Sequence, residues 1–365
     1  YNIGSGSSQL CILKDGLIQT AETIRMGALR VVQDLDAPPS QEELREAIDP
    51  LVAAAFSGIR RTAVASSPEY LVTVGAPVRT LITLDERPKP KFAARLTKER
   101  FRSLFEQVET SSVAELVEKN NILEQQAKSL APACHILEQL FDITDATYMV
   151  VPIINTRDAV AEDLGRRLKG GSDPFEPQMI SAAEHLGEKF HFDQPHSETV
   201  TRLALQLFDA LASLHGLTHR DRVLLHLAAI LHDVGFFISN RQHHKHSYYL
   251  ICNSELPGVS EAEQHFIATI ARYHRRATPR SRHPEYISLP FEQKIRLCKM
   301  AAILRVADAL DRAHLGKIDQ LQVTIREHDV LLTTPTAAEL SLEQSGLKRK
   351  ADLFVDTFSR TITLQ

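Results

Sequence analysis

Four side chains in the second half of the chain have the types and surroundings to hold a metal ion: His196, His232, Asp233 and Asp308. Imidazole nitrogen combined with carboxylate oxygen suits Mn, Fe, Zn or Mg-type divalent ions. Asp308 lies in ILRVADALDRAH, part of a run apolar nearly all round, where a carboxylate is costly unless it is paired or ligates metal. His232 and Asp233 are adjacent at the end of a second apolar run, LLHLAAILHDVG, with Gly235 as its terminator. Neighbouring residues on a helix diverge by about 100°. These two can therefore share an ion only if it sits against the helix wall and other helices close the shell, and His196 and Asp308 supply such ligands. Arg305 and Arg312 stand three before and four after Asp308, on one side of its helix. Their guanidinium forks suit a phosphate; an Arg–Asp ion pair of the scaffold is the competing reading. The run RYHRRATPRSRH adds Arg272, Arg275, Arg276, Arg280 and Arg282, either a guide for a polyanion or a solvated loop.

The elements that must position these groups are helices. His196 begins a segment in which Val200, Leu203, Ala204, Leu207, Phe208 and Leu211 fall on one 3.6-period stripe. Helix follows helix from Gln178 to Leu315, which predicts an all-helical domain over 178–318. Before it, Gly165, Gly170, Gly171, Ser172, Pro174 and Pro177 punctuate LGRRLKGGSDPFEP, and a linker is expected at 169–177. Residues 1–168 mix the two periods. LCILKDGLI reads as a hairpin turning at Asp15-Gly16, and Ser40 with Glu43 reads as a capping box opening a helix. EYLVTVGAP reads as a buried strand entering a glycine turn, LTKERFRSLFEQVET and AKSLAPACHILEQLFDIT as helices, and TYMVVPII as a strand. Alternation of this kind predicts an α/β layer structure. The tail, 319–365, returns to strand patterns, hairpin-like in LQVTIREHDVLLTTP and alternating in LFVDTFSRTITLQ. The expected fold class is multidomain: an α/β lobe, an all-α domain and a small β-rich C-terminal subdomain.

Composition narrows the function. A net charge of −4 and a pI near 6.5 give no basic excess for nucleic acid, and without Trp a stacking platform for single strands is not expected. Cys11, Cys134, Cys252 and Cys298 lie far apart with no CxxC pair, as free thiols of a reducing cytoplasm do. No apolar run approaches a membrane span. The opening YNIGSGSSQL shows no signal-peptide pattern and no initiator Met, so a longer parent chain is expected.

The order His…His-Asp…Asp resembles the HD superfamily of metal-dependent phosphohydrolases, matched by His196, His232, Asp233 and Asp308. The histidines of HHKHS and ARYHRR resemble the extra ligands of its binuclear members. His246 and His274 are the candidates, with His243 or His244 as substitutes and Asp311 as the substitute for Asp308. The resemblance implies one or two divalent ions (Mn, Fe, Mg or Zn) and hydrolysis at phosphorus. The ions would polarise a phosphoryl oxygen and lower the pKa of the attacking water. Asp233, Arg305 and Arg312 are the expected catalytic groups.

Across nearly its whole length the chain resembles the exopolyphosphatase / guanosine pentaphosphate phosphatase (Ppx/GppA) family. NIGSGSSQ and MGALRV stand where members carry DIGGGSTE and G-A-[VL]-R, and VGAPVRTLI loosely matches the later glycine turn. LLHLAAILHDVGFFIS, HHKHSYYLI, ARYHRR and LRVADALDRAH look like its HD region, and LEQSGLKRKADLFVDTFSRTITL like its terminal subdomain. The resemblance implies an actin-like (RNase H-like) lobe with Gly4, Ser5, Gly6 and Ser7 as a phosphate loop. It also implies a phosphate-containing small molecule or polyphosphate as ligand, no membrane or nucleic-acid partner, and homodimer formation. The chain departs from the family where Asn2 and Gln9 replace two carboxylates of the loop, and the family's first actin-like domain has no counterpart. Three functions follow as expectations. The first is a phosphohydrolase acting on phosphoanhydride or phosphodiester bonds through the HD site. The second is an exopolyphosphatase using a cleft between two actin-like lobes, one of them upstream. The third is a non-catalytic regulator that binds polyphosphate or a nucleotide.

Overall fold

The structure, a computed structural model, describes residues 1–33, 41–66, 68–85, 92–144, 146–153, 159–161, 163–165, 173, 175–275, 277–335 and 338–365. Ser40, the linker residues Gly170, Gly171, Ser172 and Pro174, and Arg276 lie outside the described residues. The chain divides into two compact units, one of residues 1–16 and 20–173, the other of residues 17–19 and 174–365.

The first unit is mixed α/β. Strands Asn2–Ile3, Ser8–Lys14 and Leu17–Ile24 form one sheet in chain order. Asp15 and Gly16 take positive φ (53° and 78°) between the second and third, the backbone that a two-residue hairpin turn requires. A second sheet has Tyr148–Pro152 at its centre, parallel to Tyr70–Val72 and antiparallel to Ala93–Thr97. The expected glycine turn after Tyr70–Val72 is present: Gly75 has φ 133° and opens the helix Ala76–Thr83. Only glycine fits there, because a Cβ would meet the Ile3 carbonyl. Helices Lys98–Thr110 and Glu124–Thr144 supply Phe101, Leu104, Leu130, Leu137 and Phe141 to a core shared with Leu96, Met149 and Val151 of the sheet.

The second unit is helical with a small sheet. Its principal helices are Glu176–Lys189, Gln194–Ala210, His219–Leu231, His243–Cys252, Glu261–Arg272 and Phe291–Leu310. Capping boxes at Thr218/Asp221 and Ser260/Glu263 fix two helix starts. Phe291–Leu310 is buried along almost all of its second half, from Met300 to Leu310, and runs through the middle of the core. Beyond it, Gln322–Ile325 and Asp329–Thr333 form the expected antiparallel hairpin, and Thr361–Leu364 joins it in parallel.

Residues 319–365 differ from the β-rich reading in two ways. Ser341–Lys350 and Asp352–Phe358 are helices. In the second, Leu353, Phe354 and Phe358 share a helical face, and Ser359 in the left-handed region stops it before the alternating TITL strand begins. This segment also has no core of its own. Val330, Leu332, Leu347, Phe354, Ile362 and Leu364 belong to the same buried cluster as Leu203, Leu227 and Leu304.

Candidate metal centre

Five stretches of the second unit bring six side chains to one place. His196 is in the first turn of Gln194–Ala210, where the Asp193 carboxylate accepts its backbone N–H (3.3 Å). His232 and Asp233 follow directly on His219–Leu231. His243 opens its own helix, His274 sits just beyond Glu261–Arg272, and Asp308 is in the last turn of Phe291–Leu310. Gly235 is not a helix terminator, since the preceding helix has ended at Leu231. It lies in the 3-10 turn Val234–Phe237, where a Cβ would come under 3.0 Å from the His243 carbonyl and from Ser247, and its N–H donates to Ser247 Oγ (3.0 Å). Its missing side chain is what lets the His243 helix close onto the His232-Asp233 corner.

The six residues form two ligand groups. Atoms of His196, His232 and Asp308 lie within 4.8 Å of one another, and so do atoms of Asp233, His243 and His274. Asp233 joins the groups. Its Oδ2 faces His196 Nε2 (3.8 Å) and His232 Nε2 (3.5 Å), and its Oδ1 faces His243 Nε2 (3.4 Å) and His274 Nε2 (3.2 Å).

Each imidazole is held from behind through Nδ1. His232 reaches the Ala229 carbonyl (2.7 Å), His243 that of Asn240 (3.1 Å) and His274 that of Ala271 (2.6 Å), always three residues back along the chain. His196 Nδ1 instead meets Asp311 Oδ2 (2.7 Å), whose other oxygen accepts the Gly316 N–H (2.8 Å). A carbonyl can only accept, so Nδ1 carries the proton in those three rings and Nε2 presents a lone pair to the centre. His243 Nε2 and His274 Nε2 then point lone pairs at each other across 3.3 Å, which a cation between them would relieve. His196 Nε2, His232 Nε2 and Asp233 Oδ1 are buried with no hydrogen-bond partner. Buried polar atoms of a folded protein are ordinarily satisfied. Unpaired nitrogen and oxygen lone pairs with their ring backs fixed are what a divalent ion takes as ligands.

Electrostatics agree with that donor set at His232 and His243, while His196 holds a proton that an ion must displace. Burial pushes the His232 and His243 imidazoles down to about 4, so both are neutral at pH 7. Burial acts against charge on His196 as well, but Asp308 and Asp311 outweigh it and raise that ring to about 9. Although burial opposes ionisation of Asp233, His232 and His274 hold it below the usual carboxylate range. Lys350 and His196 do the same for Asp308 against its burial.

The remaining expected site residues lie elsewhere. His246, half-buried, is outside both groups, and His243 stands in the position expected of it; His244 is buried but also outside. Asp311 is a partner of His196 rather than a replacement for Asp308. Arg305, 1% exposed, donates to Asp352 Oδ1 (2.6 Å) and to the carbonyls of Tyr273 and Lys350 (both 3.3 Å). Its burial in the helix interior and this acceptor set make it a tie between the helix and the C-terminal segment. Arg312 is exposed and has its Cβ against Gly346. Two neighbours of the centre had no signal in the sequence: Lys350, paired with Asp308, and His314, whose ring stacks on His196 (centroids 3.6 Å, 11°).

In the first unit, Gly4 to Ser7 form a tight turn closed by Gly4 N–H on the Ser7 carbonyl (3.0 Å). Asn2 and Gln9 are register partners, and the Asn2 amide donates to Gln9 Oε1 (3.3 Å). No helix among the described residues is long and apolar enough to cross a membrane.

Residues 180–355, which carry the whole centre, match the family described as Ppx/GppA phosphatase, domain III. A guanosine-5'-triphosphate,3'-diphosphate pyrophosphatase of Pseudoalteromonas translucida is 30% identical over 174 residues, 45% of this chain and 34% of that protein. The protein of the same name from Photobacterium profundum is 29% identical over 154 residues, 41% of this chain and 29% of its own length. The chain thus spans about a third of the curated relatives it matches. Among solved structures, an exopolyphosphatase from Cytophaga hutchinsonii aligns at 17% identity and TM-score 0.41, over 47% of this chain and 56% of that one. The Ppx/GppA family member of Aquifex aeolicus aligns at 16% identity and TM-score 0.40, over the same shares.

Proposed function

Because the chain belongs to the Ppx/GppA phosphatase family through residues 180–355, we propose that it is a phosphohydrolase and that its helical unit works as an HD-type, divalent-metal site. His196, His232 and Asp308 would hold one ion and Asp233, His243 and His274 a second. The observation that carries this reading is Asp233 itself, a half-buried carboxylate with one oxygen directed at each histidine group. When bound, such ions lower the pKa of a water and offset charge on a phosphoryl group. The chain's own residues do the rest. Carbonyls of Ala229, Asn240 and Ala271 and the Asp311 carboxylate fix the ring planes, and the surrounding apolar helices keep the dielectric low, which strengthens every charge interaction inside.

The names of the two pyrophosphatase relatives favour a phosphoanhydride over a phosphodiester, with a guanosine polyphosphate as the first compound to try. The reading that places exopolyphosphatase chemistry at the glycine-rich turn has less support here. Where two carboxylates could hold a cation, the neutral Asn2 and Gln9 amides bond to each other.

Elemental analysis of the purified chain against Asp233→Ala tests the proposal. One or two equivalents of metal, lost in the variant together with phosphoanhydride hydrolysis, is the expected result. No metal in either protein after incubation with Mn or Fe would refute it.

A further inference from the structure

Two side-chain cations reach the ligand groups, one at each. Lys350 Nζ pairs with Asp308 Oδ2, and Arg275 Nη1 lies 3.2 Å from Nδ1 and 3.4 Å from Nε2 of His243. The first is far from a surface ion pair, since the Lys350 side chain is 12% exposed and that of Asp308 7%. Its backbone is fixed in place. The Lys350 carbonyl accepts Arg305 Nε (3.3 Å), and Gly346 lets the helix Ser341–Lys350 press against Ala309, where a Cβ would lie 3.2 Å from the carbonyl. Only the flexible lysine side chain is left to move. Each cation also adjoins a residue of one ligand group. Asp308 takes the ammonium on Oδ2 and turns Oδ1 toward His196 Nε2 (3.6 Å), so the lysine charge opposes a divalent ion at the same carboxylate. Arg275 lies beside the His243 ring, whose Nδ1–H goes to the Asn240 carbonyl and whose Nε2 faces His274 and Asp233.

We propose that Lys350 and Arg275 are the phosphoryl-binding cations of the site, released from Asp308 and His243 when ions are taken up and turned onto the outer oxygens of the substrate. This rests on the metal reading above. Charge sets the substrate class. Asp308 already pairs with Lys350, Asp233 faces four histidines, and Asp311 is engaged by His196 and Gly316. Two divalent ions together with Lys350 and Arg275 therefore bring more positive charge than Asp233, Asp308 and Asp311 offset among the described residues of the site. A terminal phosphoryl group with two negative charges, on a monoester or at the end of a phosphoanhydride, fits this site better than an internal diester with one.

The test uses chelator-stripped protein titrated with Mn2+, and Mn2+-loaded protein titrated with inorganic phosphate and with dimethyl phosphate. In Lys350→Met, Mn2+ should bind about tenfold tighter or more, because a charged competitor for Asp308 is gone. Phosphate should bind about tenfold weaker, with affinity restored in Lys350→Arg. Arg275→Met should weaken phosphate likewise, and the unaltered chain should prefer phosphate to dimethyl phosphate. Melting curves of the variants establish that they fold. A purely structural lysine predicts instead that Mn2+ and phosphate affinities fall together. That result, or unchanged affinities in both variants, or equal binding of phosphate and dimethyl phosphate, overturns the assignment. Failure of the unaltered chain to bind Mn2+ overturns the metal reading with it, so the two failures are told apart.

Discussion

Replacing Asp311 by Asn separates two roles that the carboxylate combines at His196. In the structure Asp311 Oδ2 is 2.7 Å from His196 Nδ1, and with Asp308 it raises that ring to about 9. To ligate through Nε2 the ring must be neutral, so at pH 7 an ion has to displace a proton held with a pKa roughly two units higher. That costs about 2.7 kcal/mol, or a factor of about 100 in affinity. The sign follows directly. Affinity for Mn2+ rises about tenfold per pH unit from pH 6 and levels off near 9. His232 and His243, held down at about 4, add nothing to this slope because they are already neutral. In Asp311→Asn the ring loses one of the charges that raise its pKa, so the curve levels off at lower pH. It also loses its orienting partner, so the plateau falls by about 10- to 100-fold. The two curves therefore converge toward pH 6 and separate toward pH 9. Calorimetric titration with Mn2+ in two buffers of different ionisation enthalpy reads both the affinity and the proton released. A flat affinity between pH 7 and 9 with no proton release, or a variant with the parent's plateau, would refute the reasoning.

Gly235→Ala should separate the His243 helix from the Asp233 corner. The added Cβ has no room against the His243 carbonyl and Ser247, an overpacking worth about 1–3 kcal/mol, and the variant should melt lower and hold about one ion fewer; an unchanged melting temperature and metal content would count against this packing. His243→Ala should lose one equivalent of metal while His246→Ala keeps the parent's content, as read by elemental analysis; equal losses would mean the helix phase is wrong. Arg305→Met should cost about 1–3 kcal/mol in denaturant unfolding, from its bonds to Asp352, Tyr273 and Lys350, yet leave phosphate affinity unchanged; a large loss of phosphate binding would restore the clamp role expected from the sequence.

How far the sequence could be read depended on the range of the interaction. His196, His232, Asp233 and Asp308 stood out because each is a polar group set against an apolar helix, a cost visible locally. His243 and His246 could not be separated. They are three residues apart, and the choice turns on where the helix begins, which is set by Gln242 at φ 63° and by the Gly235–Ser247 contact. For Arg305, proximity to Asp308 along a helix says nothing about direction when the helix is buried on all sides. Lys350 was out of reach, being 42 residues beyond Asp308 and brought back by the packing of Gly346. In the tail, a period of two was read across Leu353 to Phe358, where the phenylalanines at positions 354 and 358 follow the helical spacing instead.

The Nδ1 bonds of the four rings also bear on how this site can change over evolutionary time. His232, His243 and His274 lean on main-chain carbonyls, which every amino acid supplies. Sequence drift at Ala229, Asn240 or Ala271 can alter the side chain without removing the oxygen that aims the ring. His196 alone is aimed by a side chain. Three of the four supports are thus hidden from point substitution, and selection acting on the basicity of the centre has one adjustable handle, Asp311. Divergence among relatives in metal preference or working pH should therefore track the residue at that position before it touches the ligands themselves.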